Sequence, residues 1–153
     1  MASEESIVVD VPIRTAYNQW TQFEDFPRFM SGVEKITQLD DVHNHWVTNI
    51  GGVRREFDTR ITEQIPDERV AWTTEKGSPT QSGVVTFHRL DENRTKVMVQ
   101  IDIEPDSLVE KAGEKLGLVE RQVRADLAKY KEWIESRGTE TGGWRGGVDR
   151  PTP

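Results

Sequence analysis

SLVEKAGEKLGLVERQVRADLAKYKEWIESR, residues 107–137, decides the fold. Its apolar positions Val109, Ala112, Leu116, Val119, Val123, Leu127, Tyr130 and Ile134 advance by threes and fours, the period of one helix face. Ser107, followed three residues later by Glu110, is a capping-box signature in which each side chain satisfies an orphan backbone donor of the first turn. Gly138 marks the stop, because glycine enters the left-handed conformation that ends helices without strain. At about 1.5 Å rise per residue the helix spans roughly 45 Å, enough to cross a whole small domain. Glu110, Lys111, Glu114, Lys115, Glu120, Arg121 and Arg124 lie mostly off the apolar stripe and alternate in sign, as a solvated face does.

Everything before this helix reads as strands in need of a cover. Ile7, Val9 and Val11 alternate with polar or solvent-facing neighbours until Pro12, which cannot sit in a central strand and opens a helix over 13–21. Phe26-Pro27 breaks that run, and a second short helical turn ends near Met30, Ser31 and Gly32. Strand patterns follow at 33–39, 46–50, 53–65, 70–74, 83–90 and 96–103, separated by turns at Asp40-Asp41, Gly51-Gly52, Pro66-Asp67-Glu68, Gly77-Ser78-Pro79 and Asp91-Glu92-Asn93. The order is one strand, two short helices, six antiparallel strands and one long helix. An antiparallel sheet with one apolar face must cover that face, and only the long helix carries enough stripe to do so. The expected fold is α+β, a curved antiparallel sheet of about seven strands wrapped around the C-terminal helix. Residues 1–138 form that domain, and the Gly-rich, polar residues 139–153 read as a flexible tail.

Composition limits the function classes. A chain of 153 residues suffices for one core. With no Cys there is neither a disulfide framework nor a thiolate nucleophile or metal ligand. The formal net charge of −7 repels a phosphate backbone, so nucleic acid is not an expected partner. The acidic start Met-Ala-Ser-Glu-Glu lacks the pattern of a secretory signal, and no apolar run approaches the roughly 20 residues of a membrane span. A soluble cytoplasmic protein without integral membrane association is expected.

Three features suggest that the space between sheet and helix is hollow. Ala112, Gly113, Leu116 and Gly117 put small residues within two turns of the helix, leaving room; alternatively the glycines let the helix approach residues 20–29 closely. In the strand over 53–65, Val53, Arg55, Phe57, Thr59 and Ile61 share one phase. An arginine in an apolar phase needs a partner, a ligand or water, which makes Arg55 the first choice for a polar anchor in a pocket; the alternative is that it snorkels to solvent at the strand's end. Trp20, Phe23, Phe26, Trp46, Phe57, Trp72 and Phe87 all fall in elements that face the interior, as a plain core or as the walls of a site for a planar apolar guest. The candidate ligand-binding set is Trp20, Phe23, Met30, Trp46, Arg55, Phe57, Thr59, Trp72, Phe87, Val99, Ala112 and Leu116.

Other chemistry has little support. His43 and His45 are two apart within Asp40-Asp41-Val-His43-Asn-His45, a stretch that reads as a polar turn. With His88 distant and no H-E-x-x-H spacing, no metal site is expected. No G-x-S-x-G is present, and Gly51-Gly52 precedes a strand rather than the helix a phosphate loop requires. No cofactor is expected. No convincing general base stands out: Glu75 lies in the opposite phase to Trp72, Tyr17 faces either way on its helix and Glu120 neighbours the buried stripe, and each reads more readily as a solvated residue.

The stretches Arg69-Val-Ala-Trp72-Thr-Thr-Glu-Lys-Gly77 and Gly83-Val-Val-Thr-Phe87-His-Arg-Leu90, with Thr95-Lys-Val97, Pro105 and Asp126-Leu127 through Ile134-Glu135, resemble the actinobacterial branch of the START-like superfamily. So do Val11-Pro12 through Phe29-Met30 and the ending Glu140-Thr-Gly-Gly-Trp144-Arg145-Gly146. That superfamily groups polyketide cyclases/dehydrases, coenzyme-Q-binding proteins and lipid-transfer domains. The resemblance covers nearly the whole chain and implies a helix-grip fold with a deep apolar cavity between sheet and C-terminal helix, closed by the first helices and a loop. It implies binding of a lipid, quinone or polyketide-like molecule. In aromatase/cyclase members it implies enolisation and loss of water aided by a few polar groups, which makes Arg55 the candidate catalytic residue, placed to hold a carbonyl oxygen. A third reading is a protein-interaction module whose partner docks on the Trp144 tail.

Overall fold

The computed structural model describes the backbone of residues 2–50, 52–77, 80–103 and 109–148, and their side chains except at 2, 103, 109–116, 118 and 119. Strand β1 (Ala2–Val9) is followed by helix α1 (Ile13–Gln19) and a 3₁₀ helix (Phe23–Arg28), then by β2 (Val33–Gln38), β3 (His43–Ile50), β4 (Val53–Ile65), β5 (Arg69–Gly77), β6 (Gln81–Asp91) and β7 (Arg94–Ile103), and finally by α2 (Val109–Arg137). The strands form one antiparallel sheet in the order β1-β7-β6-β5-β4-β3-β2, so the chain's first strand closes one edge against its last. Successive hairpins build the rest, as short turns between antiparallel neighbours require.

The sheet curls because β4, its longest strand, carries register shifts at Asp58/Thr59 and Ile61/Glu63 against β5, and such bulges bend a strand and increase its twist. At its far end β5 passes so close to β4 that a Cβ on Gly77 would lie 2.7 Å from the Glu56 carbonyl oxygen; its φ of 95° is likewise a glycine conformation. The predicted stop of α2 is present: Gly138 has φ 74° and its N–H donates to the Ile134 carbonyl at 2.9 Å. The Ser107–Glu110 capping box lies outside the described residues.

Among the described residues, the space between sheet and α2 is filled at one end only. There Leu127, Tyr130 and Ile134 of α2 meet Val9, Val11, Ala16, Tyr17, Trp20, Phe26 and Phe29, all buried. The aromatic rings pack edge-on or tilted, Trp20 to Phe26 at 5.2 Å, Trp20 to Tyr130 at 5.4 Å and Phe29 to Trp133 at 4.9 Å between centroids, the arrangement ring quadrupoles favour. Residues 139–148 differ from the expectation of a flexible tail. Thr141 exchanges hydrogen bonds with Gln19, its N–H to Oε1 at 2.9 Å and Gln19 Nε2 to its Oγ1 at 3.1 Å. The Trp144 N–H donates to Thr21 Oγ1 at 3.0 Å, and Val148 makes a two-bond bridge with Gln64. Arg145 donates to Asn18 Oδ1 at 2.8 Å, pairs with Asp67 at 2.8 Å and covers the Tyr17 ring. The glycines that read as flexibility serve contact here, since a Cβ on Gly142 or Gly143 would come within 2.8 Å of Gln22 or 2.7 Å of Asn18.

Candidate functional site

Beyond the packed end, sheet and helix enclose a cavity of about 240 Å³. One phase of each strand supplies its sheet wall: Asn44, Trp46, Thr48 and Ile50 from β3; Val53, Arg55, Phe57, Thr59 and Ile61 from β4; Trp72, Val85, Val99 and Ile101 from the strands beyond. Side chains two apart on a strand share a face, so the alternation read from the sequence becomes the chamber wall directly. Gln122, Val123, Asp126 and Leu127 of α2 form the roof, and Trp20, Phe23, Phe26 and Met30 the end toward the core. A Cβ on Gly117 would meet nothing within 4 Å, so this glycine faces open space and is not a point of close helix approach.

The cavity deepens along β4. Val53 is 48% exposed, Arg55 half-buried, Phe57 buried and Thr59 only 1% exposed, which puts the mouth at the Val53 end and the closed end at Thr59. Arg55 stands near the mouth opposite Thr48 in the strand register and has no ion pair or hydrogen bond among the described residues. At the closed end Trp46 stacks on Phe57, centroids 6.0 Å apart and 11° between planes, and its Nε1–H donates to Thr59 Oγ1 at 2.8 Å.

Trp20, Phe23, Met30, Trp46, Arg55, Phe57, Thr59, Trp72 and Val99 therefore come together around one chamber. Phe87 does not line it; it packs edge-on to Tyr17, centroids 5.4 Å apart, in the solid part of the core. The side chains of Ala112 and Leu116 lie outside the described residues. Tyr17 is fully buried away from the cavity, and Glu75 pairs with Arg60 at 3.0 Å and His43 at 3.5 Å. His43 and His45 are engaged by carboxylates, His43 by Asp40 at 2.9 Å and His45 by Asp58 at 2.5 Å. His45 is held above the ordinary imidazole range by the hydrogen bond to Asp58, with Glu56 adding to it.

Two polar residues escaped the sequence reading. Asp126 is 7% exposed and roofs the cavity. Its Oδ1 accepts from the Ser31 N–H at 3.0 Å, Ser31 Oγ at 3.3 Å and Gln122 Nε2 at 2.8 Å, which ties the loop after the 3₁₀ helix to α2. Burial pushes its carboxyl above the usual range despite those bonds. Asn44 is 1% exposed, and its Oδ1 is buried with no hydrogen-bond partner among the described residues. The residues 40–45 read as a polar turn, whereas β3 already begins at His43 and carries Asn44 onto the cavity face. The two-residue spacing of Asn44, Trp46, Thr48 and Ile50 is the signal that places it.

A curled seven-stranded sheet gripping a C-terminal helix over an apolar chamber defines a helix-grip protein of the α+β class. The chain belongs to the START-like family described as polyketide cyclase/dehydrase and lipid transport, whose sequence profile matches residues 9–132. It is 66% identical over 145 residues, 95% of this chain and 97% of the relative, to an uncharacterized 17.2 kDa protein of Streptomyces lincolnensis. Its fold resembles that of the Zhui aromatase/cyclase from a Streptomyces species, with TM-score 0.80, 17% identity, and coverage of 94% of this chain and 99% of that one. It also resembles a START superfamily protein from Mycobacterium smegmatis, with TM-score 0.67, 17% identity, and coverage of 84% and 98%. Among the described residues no helix is long and apolar enough to cross a membrane.

Proposed function

We propose that this protein binds a small, largely apolar or aromatic molecule, such as a lipid, a quinone or a polyketide-like compound, in the chamber between sheet and α2. The observation that carries this reading is the hollow itself. Cores are normally packed to crystal density, and here rings and aliphatic side chains surround about 240 Å³ of unfilled space. Such a volume approaches the lower end of small-molecule sites, which are concave, mostly apolar and marked by a few polar groups. Arg55 is the polar group at the mouth, where its fixed fork of donors suits a carbonyl or carboxylate oxygen of a bound guest.

A second reading is a cyclase or dehydratase acting on a poly-β-ketone. It is favoured by one observation: Asp126, a buried carboxyl whose proton is held more tightly than usual, lines the same chamber as Arg55. A guanidinium that stabilises enolate charge and a carboxyl able to pass a proton are the two groups enolisation needs. Titration with a fatty acid, a quinone and an aromatic polyketide, followed by tryptophan emission, tests the binding reading because Trp20, Trp46 and Trp72 all line the chamber. Saturable quenching by at least one of them is expected, and a flat response to all three contradicts it.

A further inference from the structure

We infer that the guest carries a hydroxyl group, buried at the closed end of the chamber between Asn44 and Thr59. The inference rests on the binding reading above and names the chemistry of the ligand's inner end. Asn44 and Thr59 are directly paired residues of β3 and β4, and both side chains line the cavity. Directly opposed residues have Cβ atoms about 5 Å apart, close enough for one ligand oxygen to meet both.

The donor and acceptor inventory at this spot is specific. Thr59 Oγ1 already accepts from Trp46 Nε1 at 2.8 Å, which leaves the hydroxyl proton of Thr59 to be donated. Asn44 Oδ1 is enclosed without a donor, and it is the one atom of that amide that is both buried and unpaired. A terminal amide turns easily about χ2, so either edge can face the chamber. A hydrocarbon end would leave Asn44 Oδ1 without a donor in an apolar surround, at its desolvation cost, and the Thr59 proton without an acceptor. A carbonyl end could accept from Thr59 and from Nδ2 but would still leave Oδ1 without a donor. A hydroxyl serves both, donating its proton to Asn44 Oδ1 and accepting the proton of Thr59. An asparagine in a ring of Trp46, Phe57 and Ile61 then acts as a specificity element, because sites with buried polar groups reject analogues that cannot pair with them.

The test compares naphthol, methylnaphthalene of nearly the same shape, and naphthalene, by tryptophan quenching of the full-length protein at neutral pH. Naphthol is expected to bind at least about tenfold more tightly than methylnaphthalene, although methylnaphthalene is the more hydrophobic. Asn44→Leu should remove that preference while naphthalene still binds; if this variant does not fold, Thr59→Val makes the same comparison. Equal affinity of the wild-type protein for naphthol and methylnaphthalene, with naphthalene bound, overturns the hydroxyl inference and leaves the apolar-ligand reading standing. Failure of all three probes to bind overturns both.

Discussion

The indole of Trp72 lies flat across Gly83, its cross-strand partner: a Cβ on Gly83 would sit 2.3 Å from Cζ2 of that ring. The glycine is what allows a large side chain on β5 to lie down along the wall of the chamber. Gly83→Ala should therefore overpack the site, at a cost of about 1–3 kcal/mol, and displace the indole. Urea denaturation and the tryptophan emission maximum check this together. An alanine variant of wild-type stability with unchanged emission would mean that the indole is free to move aside.

Arg55 is half-buried but has no ion pair or hydrogen bond among the described residues, so Arg55→Ala should change stability by about 1 kcal/mol or less. Its effect should fall on the guest instead. Affinity for a fatty acid carboxylate should drop by roughly tenfold or more, with a neutral hydrocarbon much less affected. If the protein is an enzyme, the same substitution abolishes turnover while the fold survives. Thermal unfolding and ligand titration of one preparation separate these effects.

Asp126 gives a pH dependence with a definite sign. Its folded pKa lies above the unfolded one, so the folded chain binds the proton more tightly. Its contribution to stability is greatest at low pH and falls as pH rises from the ordinary carboxylate range to the raised one. Asp126→Asn keeps an acceptor for Ser31 and Gln122 but removes the buried charge. The variant should be more stable than wild type at neutral pH, and the gain should disappear below the ordinary carboxylate range. Denaturation midpoints at two pH values decide the matter, and a less stable variant at pH 7 would show that the hydrogen bonds outweigh burial.

The segment after Gly138 is predicted to contribute to stability. Truncation there removes the Gln19–Thr141 exchange, the Thr21–Trp144 bond and the contacts of Arg145 with Asn18, Asp67 and Tyr17. At about 0.5–1.5 kcal/mol for a typical hydrogen bond, the loss should be at least about 1 kcal/mol. A truncated chain with an unchanged midpoint would restore the picture of a flexible tail. Loss of a protein complex on the same truncation would support the interaction reading.

These particulars show what the chain discloses by itself. Period-two alternation over Val53 to Ile61 and the period-3.6 stripe over Val123 to Ile134 reveal the sheet, the helix and the phase of Arg55, because they are local consequences of backbone geometry. Asn44 was hidden by its polar neighbours: Asp40, His43 and His45 make the stretch look like a turn until pairing with β4 is known. Asp126 was hidden because the Ser31 N–H it accepts from lies 95 residues away in the chain. Phe87 shares the composition of the chamber wall but lies in the packed core under Tyr17, and residue type alone does not separate the two. Gly142 and Gly143 mislead in the opposite direction, since a glycine chosen for close contact reads like one chosen for freedom.

The most direct measurement is native mass spectrometry of the protein purified from its own cells, followed by extraction and identification of what it carries. The expected result is a discrete mass increment released on denaturation, corresponding to one small hydrophobic molecule per chain. A spectrum with only the bare chain mass, together with no uptake of added fatty acid, quinone or aromatic polyketide, would contradict a ligand chamber.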